Sequence, residues 1–397
     1  MSSEQKNVVI TSAVRTAIGT FRGSLKDLQA HELGSVVIKE ALKQSNLHAK
    51  DVDELVMGQV LTGGAGQNPA RQAAIGAGLP IEKTAYTINQ VCGSGLRSVA
   101  AGYQAIKSND SNIVIAGGQE SMSNAPHVIN FRDNQKLEET NLIDTMIKDG
   151  LWDAFNGYHM GVTAENVANK WKISRKEQDD FALSSQNKFE KAQKEGKFKN
   201  EIVSVVLKSK NVKNNFFGID EHPRVGMTLE RLTKLKPSFK NNGTVTPGNA
   251  SGINDGAAAI VLMNEIEAKK RNLKPLAKII SWATCGVDPS LMGSGPIPAS
   301  KMALKKAGWK IEDLDLIESN EAFAAQSLAV IKDLRIPVDK VNVNGGAIAI
   351  GHPIGASGTR ILVTLLHEMG RQDSKKGLAT LCIGGGMGIA MCIERDS

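Results

Sequence analysis

An internal duplication constrains this chain more than any other feature of its sequence. The segments HELGSVVIKEALKQSNLHAKDVDELVMGQV (His31 to Val60) and IPASKMALKKAGWKIEDLDLIESNEA (Ile297 to Ala322) both read as an amphipathic helix, a short linker with an acidic turn, and a strand. Each is followed by a small-residue helix opened by glycines: Cys92 lies 34 residues after Gly58, and His352 lies 32 residues after Asn320. GSGLRSVAAGYQAI then matches GASGTRILVTLLHEM, and IVIAGGQESM matches TLCIGGGMGIAM. Apolar runs such as Val8 to Ile10, Leu55 to Val60 and Ile113 to Ala116 alternate with helical patterns such as Leu33 to Leu42, and wholly apolar runs are strands covered on both faces. Two pseudo-equivalent α/β halves follow. Their corresponding loops are expected at a shared face outside the carboxyl ends of the strands, where open α/β sheets bind ligands. The most apolar stretch, Gly377 to Ile393, reaches 17 residues with five glycines, and reads as a buried strand, turn and strand rather than a membrane span.

Between the halves, Ser121 to roughly Gly248 breaks the pattern with the polar turns DNQKLEET and KNVKNN and with helical stretches such as Val162 to Trp171. It reads as an inserted subdomain for substrate binding. Lys188 to Lys240 holds 13 Lys or Arg against 6 Asp or Glu, an excess equal to the formal charge of +7 on the whole chain. With 17 aromatics in all and no RNP or helix-turn-helix signature, this basicity is not the footprint of a nucleic-acid partner. It is either a solvated face or an attraction for a small phosphorylated ligand. Four cysteines in 397 residues are too few for a disulfide framework, and no C-x-x-C pair suggests zinc. MSSEQKNVVITSA has no secretory n- and h-regions, so a reducing, cytoplasmic location is expected.

Cys92 sits in INQVCGSGLRSVAAGYQAI, where a strand-like Tyr86 to Val91 runs into a glycine-opened helix. The positive end of that helix is expected to lower the thiol pKa, and the glycines let a substrate approach the sulfur; the plainer reading is a buried, inert cysteine. His352 lies in NGGAIAIGHPIGASG, a loop in which an imidazole can accept a thiol proton. Cys382 precedes three glycines in LCIGGGMG, whose backbone N–H groups suit an oxyanion hole, although a glycine hairpin with a packed cysteine explains the same letters. Asn320 in SNEAFAA stands at a strand-to-helix junction, where an Asn is ordinarily an N-cap; its amide can instead hold a water or the histidine. Cys285 and Cys392 read as packing residues. Rossmann, P-loop and H-E-x-x-H patterns are absent, which leaves dinucleotide enzymes, NTPases and zincins without support.

Taken together, VCGSGLRSV, NASGINDGAAA, SNEAFAA, GGAIAIGHPIGASG and CIGGGMG resemble, in order and over essentially the whole chain, the motifs of the thiolases. HMGVTAEN and MGSGPIPA make the chain most similar to the short-chain biosynthetic branch. The resemblance implies duplicated βαβαβαββ halves in a five-layer α-β-α-β-α architecture with an inserted loop domain. It divides the chain into a first half (1–120 and 249–273), an inserted CoA-binding domain (121–248) and a second half (274–397). It implies condensation of two acetyl-CoA to acetoacetyl-CoA plus CoA, with no metal and no cofactor beyond the CoA thioester substrates, usually in a homotetramer built from tight dimers. By motif position, Cys92 is the acyl-accepting nucleophile, Cys382 the second acid/base, His352 and Asn320 the GHP and NEAF residues, and Gly384 the backbone donor of CIGGG. CoA binding maps to Leu151, His159, Met160, Arg224, Leu235, Ser251, Met292 and Phe323. In DEHPRVG, His222 stands where a potassium-activated mitochondrial relative carries Tyr, which argues against potassium dependence. Pro247 replaces a usual Ala beside the pantetheine position. The remaining alternatives are a degradative 3-ketoacyl-CoA thiolase of broader chain length and, from another class, a non-catalytic CoA-binding scaffold subunit.

Overall fold

Successive residues of a strand face opposite sides of its sheet, so a strand buried along its whole length must be covered twice. Val8–Thr16, Ile113–Ser121 and Asn254–Asn264 are such strands. The computed structural model, which describes residues 7–130, 141–208 and 215–396, shows what covers them. Val8 and Ile10 pack with Leu96, Val99, Ile361 and Leu365 of the helices Ser94–Ser108 and Ser357–Gln372. Val9 packs on the other side with Leu33, Val37 and Ala73 of the helices Ala30–Gln44 and Pro69–Ala77.

The first half's sheet runs Thr84–Ile88, Glu54–Gly58, Ile113–Ser121, Asn254–Asn264, Val8–Thr16. Glu54–Gly58 is parallel to both its neighbours, whereas Asn254–Asn264 is antiparallel to both of its own. The second half repeats this plan with Leu316–Ser319, Lys376–Ile383, Met387–Glu394 and Ala277–Gly286. Its fifth strand is reduced to one parallel bridge, Ile317 to Val341. The helices Pro296–Ala307 and Ala324–Leu334 cover its outer face through Ala299, Ala303, Val330 and Leu334. Helices, sheet, two central helices, sheet and helices make the five layers expected from the sequence. The two sheets touch edge to edge where Val9 and Ile10 pair with Lys278 and Ala277.

The glycines that open the two central helices explain how these can cross so closely. A Cβ on Gly95 would stand 2.8 Å from the Thr359 nitrogen, and one on Gly358 would collide with the Leu96 backbone. Gly377 to Ile393 forms two strands joined at Gly384–Gly386, with Gly385 and Gly386 both at φ 84°. Cys392 packs under the second sheet, and Cys285 is partly buried beside it.

Residues 121–248 carry the helices Met160–Trp171 and Arg175–Lys194 and several two-residue strands. Most of the turns DNQKLEET and KNVKNN lies outside the described residues. The basic segment is tied to the first sheet by the buried Arg15, whose guanidinium donates to Glu201 at 2.7 Å and to both oxygens of Asp220 at 2.7 and 2.9 Å. No helix among the described residues is long and apolar enough to cross a membrane.

Candidate active site

A cavity of about 500 Å³ opens at the carboxyl ends of the strands. Cys92, His352, Cys382 and Gly384 all line it, as do Leu151, His159, Met160, Arg224, Ser251, Met292 and Phe323. The duplication produces this meeting: Cys92 and Met122 arrive from strand ends of the first half, and Cys382, Gly384 and Phe323 from those of the second.

Cys92 is set by a turn that departs from the sequence expectation. The strand stops at Ile88 rather than Val91, because Asn89 Oδ1 accepts the Val91 N–H at 2.9 Å and turns the chain out of the sheet. Val91 then holds φ 47°, a left-handed conformation costly for a β-branched residue and of the kind stored at functional sites. The helix starts at Ser94. The Cys92 pKa is not lowered as expected: desolvation inside the cavity pushes the thiol up to about 11. The N–H groups of Gly384 and of Cys92 itself face the sulfur and favour its anion, while the Glu120 carboxylate opposes it.

Glu120 is fully buried and accepts the Val60, Leu61 and Gly355 N–H groups at 3.0, 3.2 and 2.9 Å. It thereby joins a loop of the first half to the His352 loop of the second. Burial pushes this carboxyl up to about 7 against those three donors.

His352 is held from three sides. Its backbone N–H donates to Asn254 Oδ1 at 2.8 Å, its Nδ1 lies 2.6 Å from Ser357 Oγ, and its Nε2 lies 3.5 Å from Asn320 Nδ2. Burial, with the Arg360 charge behind it, lowers its pKa to about 3, so the imidazole is neutral at working pH. Cys382 is wholly buried, and its thiol is raised far above the ordinary range by burial and then by Cys92 beside it.

Asn320 is not an N-cap. The following helix begins at Ala324 with Phe323 in the cap position, and Asn320 precedes it, with its amide beside the His352 imidazole. Its Oδ1 has no protein partner. Leu235, expected among the CoA contacts, is not a lining residue. Its carbonyl accepts from Arg175 at 2.9 Å, and its side chain lies against Gly248.

Phe239, Ser238, Met122, Ile354 and His222 line the cavity without having been read as contacts from the sequence. Phe239 stacks on His159, with centroids 4.7 Å apart at 16°, and meets Phe323 edge-on at 6.3 Å. These three rings build an apolar wall with Met160 and Met292. The only hint of Phe239 in the sequence is an aromatic beside Pro237 in an otherwise basic stretch. Among the described residues, no cluster of His, Cys, Asp or Glu could hold a metal ion.

The model of the thiolase N-terminal domain matches residues 8–266, and that of the thiolase C-terminal domain matches residues 273–395. The acetyl-CoA acetyltransferase of Rhizobium meliloti (strain 1021) is 60% identical over 389 residues, covering 98% of this chain and 99% of that protein. The cytosolic acetyl-CoA acetyltransferase of Mus musculus is 54% identical over the full length of both. Among solved structures, the Bacillus anthracis acetyl-CoA acetyltransferase superposes with a TM-score of 0.96 at 45% identity, covering 99% of this chain and 100% of that one. Human mitochondrial 3-ketoacyl-CoA thiolase in complex with CoA gives 0.94 at 43% identity, covering 99% of each. With both family domains matched in order and the duplicated five-layer fold in place, this chain belongs to the thiolase family.

Proposed function

We propose that the protein condenses two molecules of acetyl-CoA to acetoacetyl-CoA and CoA, reversibly, through an acetyl-Cys92 intermediate. The observation that carries this reading is the convergence of two thiols, a neutral imidazole and inward-facing backbone N–H groups on one cavity. A thiol raised to about 11 is hardly ionised at neutral pH, so it needs a base at the moment of attack. His352 takes the Cys92 proton as the sulfur bonds to the thioester carbon, and the N–H groups of Cys92 and Gly384 hold the oxyanion. The C–S bond to CoA then breaks, and Cys382 gives its proton to the departing thiolate. The Cys382 thiolate left behind is a strong base because burial disfavours its charge. It removes the α-proton of the second acetyl-CoA, whose enolate oxygen is stabilised by the now protonated His352 and by a water held on Asn320. The carbanion attacks acetyl-Cys92, Cys92 leaves, and His352 returns its proton. Losing one oxyanion donor costs about 2.7–4 kcal/mol of barrier, so the backbone at Gly384 matters as much as the side chains.

Leu151, His159, Met160, Ser251, Met292 and Phe323 are the pantetheine and acyl contacts in this reading, with Arg224 toward the nucleotide end and residues 121–248 acting as the CoA-binding insertion. The Met160, Met292, Phe239 and Phe323 wall favours acetyl over long acyl groups. Assembly as a homotetramer fits the half-exposed edge strand Thr84–Ile88 and the exposed Leu142, Trp152 and Phe155, which sedimentation tests.

Mass spectrometry after incubation with acetyl-CoA decides the roles of the two thiols. Cys92→Ala abolishes acetylation of the protein, whereas Cys382→Ala still acetylates Cys92 but condenses very slowly. Acetylation of Cys382 with Cys92 unmodified inverts the assignment. Cleavage of C8 to C16 ketoacyl-CoAs as fast as acetoacetyl-CoA supports a degradative thiolase instead.

A further inference from the structure

Glu120 stands beside the active centre, and the proposed chemistry leaves it unused. It lies near the end of the strand Ile113–Ser121, is wholly buried, and does not line the cavity. Its Oε2 accepts the Val60 and Gly355 N–H groups at 3.0 and 2.9 Å, and its Oε1 accepts the Leu61 N–H at 3.2 Å. These bonds reach two different loops. Val60 and Leu61 belong, with Ile354, to the apolar cluster against which Cys92 packs, and Gly355 lies in the turn that begins at His352. The halves meet there too closely for side chains to pack between them: a Cβ on Gly355 would stand 2.6 Å from Glu120 Oε2, and one on Gly118 would stand 2.2 Å from the Gly355 carbonyl oxygen. Three inward-pointing donors suit an anion, because a neutral acid must itself donate from one oxygen. The charges that face it are also negative, Asp255 on the adjacent strand and the Cys92 thiolate when it forms, and among the described residues Glu120 makes no ion pair.

We infer that Glu120 is a positioning residue: its carboxylate ties the His352 turn of the second half to the Val60–Leu61 loop of the first, and so holds the base at working distance from the nucleophile. The inference rests on the roles proposed for Cys92 and His352. The same charge disfavours the Cys92 thiolate, so its removal acts in opposite directions on two reactions of that sulfur. Alkylation by a small reagent needs only the thiolate and gains. Acetylation needs His352 in place and loses.

The test follows single-turnover acetylation of Cys92 in the whole protein at saturating acetyl-CoA. In the wild type the rate should fall as the pH drops through about 7, where Glu120 takes up a proton and one oxygen stops accepting, whereas His352 and both thiols titrate far from that range. Glu120→Gln should be about 10- to 100-fold slower at pH 8, the scale of one or two buried hydrogen bonds to a charged group, with little change in KM and without the step near neutrality. Its Cys92 should be alkylated by iodoacetamide about two- to tenfold faster than that of the wild type at pH 9, because the like charge is gone. Glu120→Asp keeps the charge but is too short to reach both loops, so its acetylation should be slow while its alkylation stays near that of the wild type. A wild-type rate that is flat from about pH 5.5 to 8.5, on both sides of the ordinary and raised carboxyl range, overturns the inference whether or not the variants fold. So does a folded Glu120→Gln that acetylates at the wild-type rate, that keeps the step, or that loses alkylation together with acetylation. Those results leave the proposed reaction standing, whereas a wild type that never acetylates Cys92 removes the reaction itself.

Discussion

At the residue scale, the active centre relies on burial. Taking a thiol, an imidazole and a second thiol out of water disfavours every charged form, and the backbone N–H groups at Cys92 and Gly384 return only part of that cost to the Cys92 anion. One consequence can be measured on the free protein. Alkylation of Cys92 by iodoacetamide should rise about tenfold per pH unit from pH 7 to 10, following the thiolate fraction, with no plateau near 8.5. A plateau at pH 7 to 8 would show that the helix dipole prevails over burial. The apolar wall yields a second expectation: Phe239→Ala loses the stack on His159 and should raise KM for acetyl-CoA about tenfold, leaving single-turnover acetylation at saturation nearly unchanged. Of the residues behind these effects, Cys92, His352, Cys382 and Asn320 could be found in the sequence because each pairs a reactive group with a turn-forming context. Phe239 could not, since a phenylalanine in a basic loop carries no sign of the cavity it faces.

At the element scale, the central layer depends on two helices approaching backbone to backbone. Gly358→Ala places a methyl group against the Leu96 backbone, which cannot swing aside as a flexible side chain would. The variant should lose about 1–3 kcal/mol or more of stability in denaturant unfolding, and it should lose activity too because the same helix carries Ser357 and follows His352. Small glycine-opened helices after each copy of the repeat were legible in the sequence, whereas their close crossing came only with the fold. Helix and strand identity followed from local periodicity, down to the two strands and tight turn of Gly377 to Ile393. Boundaries did not. The strand before Cys92 ends at Ile88 because a side chain, Asn89, captures a backbone N–H, and that competition leaves no mark on hydrophobic patterning.

At the scale of the whole molecule, the insertion is joined to the first half by strand pairing at Arg15 and Thr16, by Glu221 accepting from Thr20 and Ser24, and by one buried cation. Arg15 serves Glu201 and Asp220 at once, and its pKa is raised by those two carboxylates although burial opposes it. Asp220→Ala leaves the buried guanidinium with Glu201 as its one carboxylate partner and should cost about 3–5 kcal/mol, read as a lower melting temperature, with weaker CoA binding as the segment bearing His222 and Arg224 loosens. A melting temperature within a degree of wild type would mean that this lock does not hold the insertion. By itself the sequence determined the α/β class, the duplication and the candidate reactive residues of each half, because periodicity, glycine placement and motif order are short-range properties written in neighbouring letters. Only the tertiary structure decided that Phe239 forms the cavity wall, that Asn320 stands beside the histidine instead of capping a helix, and that Cys92 is raised rather than lowered in pKa. Each of these depends on groups that are distant in the chain and near in space, and burial, the largest of their effects, exists only once both halves and the insertion have closed around the cavity.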